Sequence, residues 1–356
     1  MRKRYLLTVT PEAFWKIFDL HCCSMTEFAI EAHDIVKTFN DGKFTALGGV
    51  SLQVPKGQVF GLLGPNGSGK TTMVRILSTI LAPSSGSATV NGYDVFKQAD
   101  EVRKSIGLAG QYAAVDENLT GYENLRMVGL LNHLDKSYVD KRAHELLANF
   151  GLTDAANRRT KTYSGGMRRR LDLAAALVGN PPILFLDEPT TGLDPQSRQD
   201  LWNIIENLVE GGTTVLLTTQ YLEEADRLAK QLVVLDRGKI IAQGTSAELK
   251  AQLGNTVLVL TFHSPSDATK AVDVIKDVSS KPANIEGSVV EMTIDQGPAS
   301  AADALRKLDA SGIDLAGLVM REPSLDDVFL NLTGRKAEET PAEAPATGRR
   351  SRKARS

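Results

Sequence analysis

The run Gly64-Pro65-Asn66-Gly67-Ser68-Gly69-Lys70-Thr71-Thr72 has the residue types and spacing, G-x-x-x-x-G-K-[ST], of a loop that wraps a nucleotide's phosphates. Gly64, Gly67 and Gly69 permit positive φ and leave room for backbone N–H groups to converge on phosphate oxygens. A helix starting near Lys70 aims its free amides and the positive end of its dipole at the same anion. Lys70 adds a point charge for the β- and γ-phosphates, and the Thr71 hydroxyl suits Mg²⁺. A plain glycine-rich turn matches the pattern by chance in roughly one chain in a hundred of this length. The flanks argue against chance: Val59-Phe60-Gly61-Leu62-Leu63 reads as a buried strand before the loop, and Met73-Val74-Arg75-Ile76-Leu77 as helix after it.

Other residues have chemistry to add. The apolar run Ile183-Leu184-Phe185-Leu186 reads as a buried strand that ends in two carboxylates, Asp187 and Glu188. Beside a phosphate loop they divide the labour: Asp187 holds Mg²⁺ and Glu188 polarises the attacking water. The alternative is a turn with exposed acids. Ile106 to Gln111 reads as a strand ending in a polar residue, and ligands in open α/β sheets sit at such carboxyl ends, so Gln111 either reaches a metal or a water or is merely solvated. A further strand, Thr213 to Thr218, ends at Thr219-Gln220, where a side chain can reach the γ-phosphate. Ser164 is a natural N-cap for a helix through Leu177, and the free amides of Gly165 and Gly166 make a second anion-binding helix start. Taken alone, that start is an ordinary cap. Arg168, Arg169 and Arg170 point in different directions from successive positions and read as a mix of solvated and packing roles. Phe39 either stacks on adenine or is a plain core phenylalanine.

The elements that must hold these residues can be read around them. Phe28 to Val36 and Val50 to Val54 read as strands, with a turn at Phe39 to Gly42. Gly121 to Phe150 reads as mainly helical, opened by Thr120-Gly121-Tyr122-Glu123 with capping-box spacing. Leu232 to Ala242 closes this region as a hairpin. After Gly244-Thr245, strands and helices alternate from Val257 to Leu332, which suggests a small α+β, ferredoxin-like unit without a catalytic constellation, suited to dimer contact or regulation. The domain reading is therefore an extension over 1–26, disordered or preceding the true start near Met25, a nucleotide-binding domain over 27–245, an accessory α+β domain over 253–333, and a disordered tail over 335–356.

Composition excludes several classes. A net charge of −2 over 356 residues gives no reason to expect a nucleic-acid partner. No apolar run approaches the ~18–20 residues that span a bilayer, so work at a membrane would need another chain to do the spanning. Cys22 and Cys23 are adjacent and lack a C-x-x-C or histidine cluster, which supports neither a disulfide framework nor a zinc site and makes a reducing cytosol the default.

Taken in order, Gly64–Thr72, Gln111, Ser164-Gly165-Gly166, Leu186-Asp187-Glu188, Leu193-Asp194 and Thr219-Gln220 resemble the nucleotide-binding domain of an ABC transporter over about residues 27–245. Tyr163 to Asp172, Leu217 to Leu222 and Ser324-Leu325-Asp326-Asp327-Val328-Phe329-Leu330 narrow the resemblance to the daunorubicin/doxorubicin-resistance type of ATP-binding subunit. The resemblance implies an α/β fold: a P-loop ATPase domain with a mixed sheet and helical subdomain, then the small α+β domain. It implies an ATPase, using ATP and Mg²⁺, that powers export of a hydrophobic drug or lipid-like compound through a separate membrane subunit, peripheral on the membrane's cytoplasmic face. Two copies would meet head to tail, so that Ser164 and Gly166 of one contact the γ-phosphate held by Lys70 of the other and Asp194 crosses the interface. Gln111 would link Mg²⁺ and water to the membrane subunit. A soluble ABC ATPase working on ribosomes or DNA is the rival reading, but such proteins commonly fuse two nucleotide domains or carry coiled-coil or zinc insertions, and here there is one phosphate loop. The chain departs from the superfamily's common pattern at Tyr163 and Met167, where Leu and Gln are usual, and at Gln220, where a histidine is usual. A glutamine amide can donate to phosphate but cannot carry a proton as imidazolium.

Overall fold

The computed structural model describes residues 28–40, 42–111, 114–252, 256–279, 283–294 and 297–333; the expectations for 1–26 and 335–356 fall outside them. In chain order the first elements are β1 (Phe28–Phe39), β2 (Phe44–Pro55), β3 (Val59–Leu63), α1 (Lys70–Leu77), β4 (Ser85–Val90), β5 (Tyr93–Asp94), α2 (Ala99–Ser105) and β6 (Ile106–Ala109). There follow α3 (Gly121–Leu131), α4 (Lys136–Asn149), α5 (Gly165–Ala176), β7 (Ile183–Asp187), α6 (Pro195–Glu210), β8 (Thr214–Thr219), α7 (Leu222–Leu228), β9 (Gln231–Asp236), β10 (Lys239–Gly244) and α8 (Ser246–Ala251). The last segment holds β11 (Thr256–Phe262), α9 (Pro265–Ile275), β12 (Asn284–Glu286), β13 (Val289–Ile294), α10 (Pro298–Ala310), β14 (Leu315–Arg321) and α11 (Leu325–Thr333).

The central sheet runs β10-β9-β3-β8-β7-β6, parallel except for β10. Its inner strands β3, β7 and β8 are buried at every position because both faces are covered. Phe60, Leu62, Phe185, Leu216 and Val233 face one core, shared with α1 and the antiparallel sheet β2-β1-β4-β5. Val59, Leu63, Leu184, Leu186, Val215 and Leu217 face the other, against helices α5 to α7. Each such side chain contributes on the order of 1.5–3 kcal/mol by burial. Side chains alternate between the cores with the strand's period of two, so a one-residue slip would exchange the two faces.

Two sequence expectations change. The helical stretch over 121–150 breaks at Asn132–Asp135: His133 takes φ 58°, and the Asp135 carboxylate accepts from the N–H groups of Ser137 and Tyr138 at 2.8 and 3.3 Å, starting a second helix. The strand expected to reach Gln111 stops at Ala109. The strand β4, Ser-Gly-Ser-Ala-Thr-Val, pairs with β1 and was hidden by its small polar residues.

The C-terminal segment is a βαββαβ unit whose sheet runs β12-β13-β11-β14, all antiparallel, the order of a ferredoxin-like fold. Helices α9 and α10 cover one face through Ala268, Ala271, Ile275, Ala304 and Leu308. Helix α11 does not join this core. Its Leu325, Val328 and Phe329 are buried in the larger core together with Leu228 of α7 and Leu249 of α8.

Candidate active site

Register alone aligns the candidate residues. Leu63 of β3 pairs with Thr219 of β8, Asp187 of β7 with Thr218 of β8, and Ala109 of β6 with Leu186 of β7. The segments carrying Gly64, Gln220, Glu188 and Gln111 therefore leave the same edge of the sheet, at its carboxyl ends.

The phosphate-type loop is folded tightly against this edge. A Cβ on Gly64 would lie 2.2 Å from the Leu235 carbonyl oxygen, so only glycine fits. Gly69 caps α1 with φ 112°, a left-handed conformation that L side chains rarely adopt. Pro65 is half-buried and Asn66-Gly67 exposed, which leaves the loop's crest open. Lys70 is buried; its ammonium donates to the carbonyls of Gly64 at 2.7 Å and Pro65 at 3.1 Å and pairs with Glu188 Oε1 at 3.2 Å. Thr71 Oγ1 donates to Asp187 Oδ1 at 3.2 Å, and Thr72 is half-buried on the next position. The Ser68 hydroxyl is buried and has no partner among the described residues.

Thr218 locks the two acids in place. Its hydroxyl donates to Asp187 Oδ1 at 2.5 Å and accepts from the Glu188 N–H at 3.1 Å. Glu188 itself sits at φ 49°, a strained position for a non-glycine residue that aims its carboxylate at Lys70. Gln220 follows directly on β8, and its buried Oε1 has no partner among the described residues. Gln111 is exposed.

Residue patterns alone missed Thr218, and they undervalued Arg169 and Asp172. Arg169 is the packing member of its arginine run. Its guanidinium donates to the carbonyls of Gly110 at 2.5 Å, Pro189 at 2.7 Å and Asp187 at 3.4 Å, and to Asp172 Oδ2 at 3.1 Å. Asp172 Oδ1 accepts from the Ala114 N–H at 2.7 Å. Burial lowers the Arg169 pKa and raises that of Asp172, while their mutual attraction opposes both shifts. Tyr163 is also accounted for: its hydroxyl donates to Ala155 O at 2.7 Å, and a Cβ on Gly121 would come within 2.4 Å of that hydroxyl.

Ser164, Gly165 and Gly166 start α5. Ser164 Oγ accepts from Met167 N–H at 3.2 Å, and both Ser164 and Gly165 are exposed. Gly166 is buried against Ser197: a Cβ there would lie 2.4 Å from the Ser197 hydroxyl. That hydroxyl donates to Asp194 Oδ2 at 2.6 Å, and Asp194 Oδ1 caps α6 through Ser197 N–H at 2.9 Å. These bonds from Ser197 lower the Asp194 pKa. Phe39 is not a core residue. It lies at the turn end of the β1–β2 hairpin, where it pairs with Phe44, 36% exposed, with its ring stacked on Phe44 at 6.4 Å and Lys37 Nζ 5.1 Å from its centre.

Residues 47–191 match the family model of the ABC transporter, and residues 244–333 match that of the C-terminal domain of DrrA1-3-like ATP-binding proteins. The chain is 46% identical to the daunorubicin/doxorubicin resistance ATP-binding protein DrrA of Streptomyces peucetius, over 89% of its own length and 96% of the relative's. It belongs to the ABC transporter ATP-binding subunits. Another member, the doxorubicin resistance ATP-binding protein DrrA of Mycobacterium tuberculosis, is 45% identical over 86% of this chain and 94% of its own. Among solved structures, an ABC transporter cassette in its ADP conformation superposes with a TM-score of 0.57 at 28% identity, covering 63% of this chain and 93% of that one. A dimeric cassette in a post-hydrolysis state with ADP and phosphate gives 0.56 at 27% identity, over 61% and 98%. This ABC subunit is thus a nucleotide-binding ATPase coupled to transport.

Proposed function

We propose that this subunit binds Mg²⁺-ATP as a head-to-tail homodimer and hydrolyses it to drive export of a hydrophobic, drug- or lipid-like compound through a separate membrane subunit. It would sit peripherally on the membrane's cytoplasmic face. The observation that carries the reading is the interlocked set Lys70, Thr71, Asp187 and Glu188 at one end of β3 and β7. Lys70 and backbone amides of the Gly64–Thr72 loop, Pro65 having none to give, hold the β- and γ-phosphates. Thr71 and Asp187 offer hard oxygen donors to Mg²⁺, and Gln111 adds an amide oxygen. No group of three or more His, Cys, Asp or Glu side chains able to hold a metal exists among the described residues, so phosphate and water would complete the shell. The ion, when bound, offsets charge on the β- and γ-oxygens. Glu188 orients and polarises the attacking water. Gln220 donates its amide N–H to the γ-phosphate, with no proton transfer through this position. The exposed Phe39 stacks on adenine. Ser164, Gly165 and Gly166 reach the phosphates of the second copy, and Asp194 lies at the interface.

The drug-resistance names of the relatives support a drug as cargo. No helix among the described residues is long and apolar enough to cross a membrane, and the crossing is assigned to the partner subunit. Phosphate release by the purified chain with Mg²⁺-ATP, alone and with its membrane subunit in vesicles, tests the proposal. If neither preparation hydrolyses ATP, the reading fails. If hydrolysis occurs but loaded vesicles never move a drug, the cargo assignment fails alone.

A further inference from the structure

Arg169 and Asp172, one turn apart on α5, take no part in the roles above, yet both are buried and hydrogen-bonded to the segments around Gln111 and Glu188. We propose that Arg169, oriented by Asp172, is a positioning residue that sets the carboxyl ends of β6 and β7 against each other, and with them Gln111 against Asp187 and Glu188.

The bonds of Arg169 fall on both strand ends. Gly110, immediately before Gln111, offers one acceptor; Asp187 and Pro189, on either side of Glu188, offer two more. A planar guanidinium fork spans such divergent carbonyls, whereas a lysine ammonium concentrates its donors at one point. Asp172 completes the grip. One of its oxygens holds Arg169 and the other accepts from Ala114 N–H, so the pair clasps the chain on both sides of Gln111. Buried ion pairs of this kind contribute little net stability over well-packed apolar residues of similar size, so stability alone is a weak reason for this one.

Arg169 also stands five positions after Ser164, on the same rigid helix. Force applied at the Ser164–Gly166 helix start is passed along α5 to Arg169, and from there to Gln111 and Glu188 of the same chain. Binding of one copy's signature segment would thus be felt at that copy's own hydrolytic site. The inference rests on the hydrolysis reading, which phosphate release by the unaltered chain and its loss in Glu188→Gln check independently.

The test compares Arg169→Lys, Arg169→Gln and Asp172→Asn with the unaltered chain. Four quantities are read: kcat, nucleotide Kd in a Glu188→Gln background, Tm, and amide hydrogen exchange at Gln111 and Ala114. For the folded variants kcat should fall about 10- to 100-fold, as for a misplacement near 1 Å, with nucleotide Kd within about threefold because the phosphate loop is untouched. Exchange at Ala114 should accelerate in Asp172→Asn, and Arg169→Lys should not restore kcat. Unchanged kcat overturns the proposal, as does a loss of kcat and nucleotide affinity in equal proportion, the mark of a purely structural role. If the Arg169 variants do not fold, the near-isosteric Asp172→Asn decides by the same criteria.

Discussion

Two helix starts in this molecule open on glycines, at Gly69-Lys70 and at Gly165-Gly166, and they are finished to different degrees. The one at Gly69-Lys70 has a buried cation, two carboxylates within bonding reach, and a positive-φ glycine as its cap. The one at Gly165 has a serine cap, with Ser164 and Gly165 exposed and Gly166 buried, and among the described residues neither lysine nor carboxylate bonds Ser164, Gly165 or Gly166. Both expose amides and a positive dipole end, so physics alone gives each some affinity for phosphate. The difference lies in what surrounds the anion. The first start carries groups that can act on a phosphate; the second carries only groups that can touch one. In the proposed head-to-tail dimer, one start from each chain would make up a composite site.

The strongest way to break this contrast is to disable the start that can do chemistry. Glu188→Gln should lower kcat by about 10²–10⁴ while nucleotide still binds, the range for a positioned acid–base residue. Steady-state phosphate release and nucleotide binding, measured together, check it. Near-normal hydrolysis would remove Glu188 from its role, and its strained φ of 49° would be left as backbone geometry without purpose.

The contrast sharpens if the two starts are damaged on different chains. Lys70→Ala and Gly166→Asp should each be nearly inactive as homodimers. Gly166→Asp also collides with Ser197, whose hydroxyl is 2.4 Å from the added Cβ. Mixed, the two variants should regain hydrolysis well above either alone, since a heterodimer contains one intact Lys70 site facing one intact Ser164–Gly166 segment. Mixtures no better than their parents would mean that each start serves its own chain.

The two starts also differ in how readable they were. Gly64–Thr72 demands particular residue types at consecutive positions, so its chemistry is written in one stretch. Asp187 and Glu188 were legible for the same reason, at the end of an unbroken apolar strand. Thr218 and Arg169 were not. Their roles come from strand register and helix packing, which bring Arg169 to a carbonyl 59 residues away and the Thr218 hydroxyl to a carboxylate 31 residues away. No local pattern marks such residues. The same limit hid the destination of α11: its apolar face was plain, but whether it covers its own sheet or the larger core depends on the path of the chain.

A smaller effect is expected at Gln220, whose buried Oε1 has no partner among the described residues. Gln220→Ala should cost roughly 1–3 kcal/mol of transition-state interaction, the scale of a lost hydrogen bond to a charged group, and should appear mainly in kcat. Gln220→His should retain substantial activity and introduce a pH dependence between about pH 6 and 7, since imidazole titrates there and an amide does not. Profiles of kcat against pH for the three proteins separate these cases. An alanine variant as active as the unaltered chain would show that this position does not hold phosphate.

The smallest effect asks whether the second helix start is more than a cap. Ser164 and Thr120 do the same local work: each accepts from a backbone N–H three residues on, at 3.2 Å in both cases. The Thr120 N–H also donates to Glu123 Oε2 at 2.8 Å, which completes a capping box. Replacing either by alanine should destabilise the fold by about 1 kcal/mol, the usual cost of a lost N-cap. Thermal or denaturant unfolding would read the two losses as similar. Hydrolysis should separate them: Thr120→Ala should leave kcat per folded molecule unchanged, because its hydroxyl is committed to helix α3. Ser164→Ala should lower kcat if, as proposed, this exposed residue faces the second copy's phosphate. Equal stability loss with unequal kcat assigns Ser164 a role beyond capping. If both variants keep full kcat, the exposed helix start is a structural cap, and the composite site must draw its second half from the amides of Gly165 and Gly166 alone.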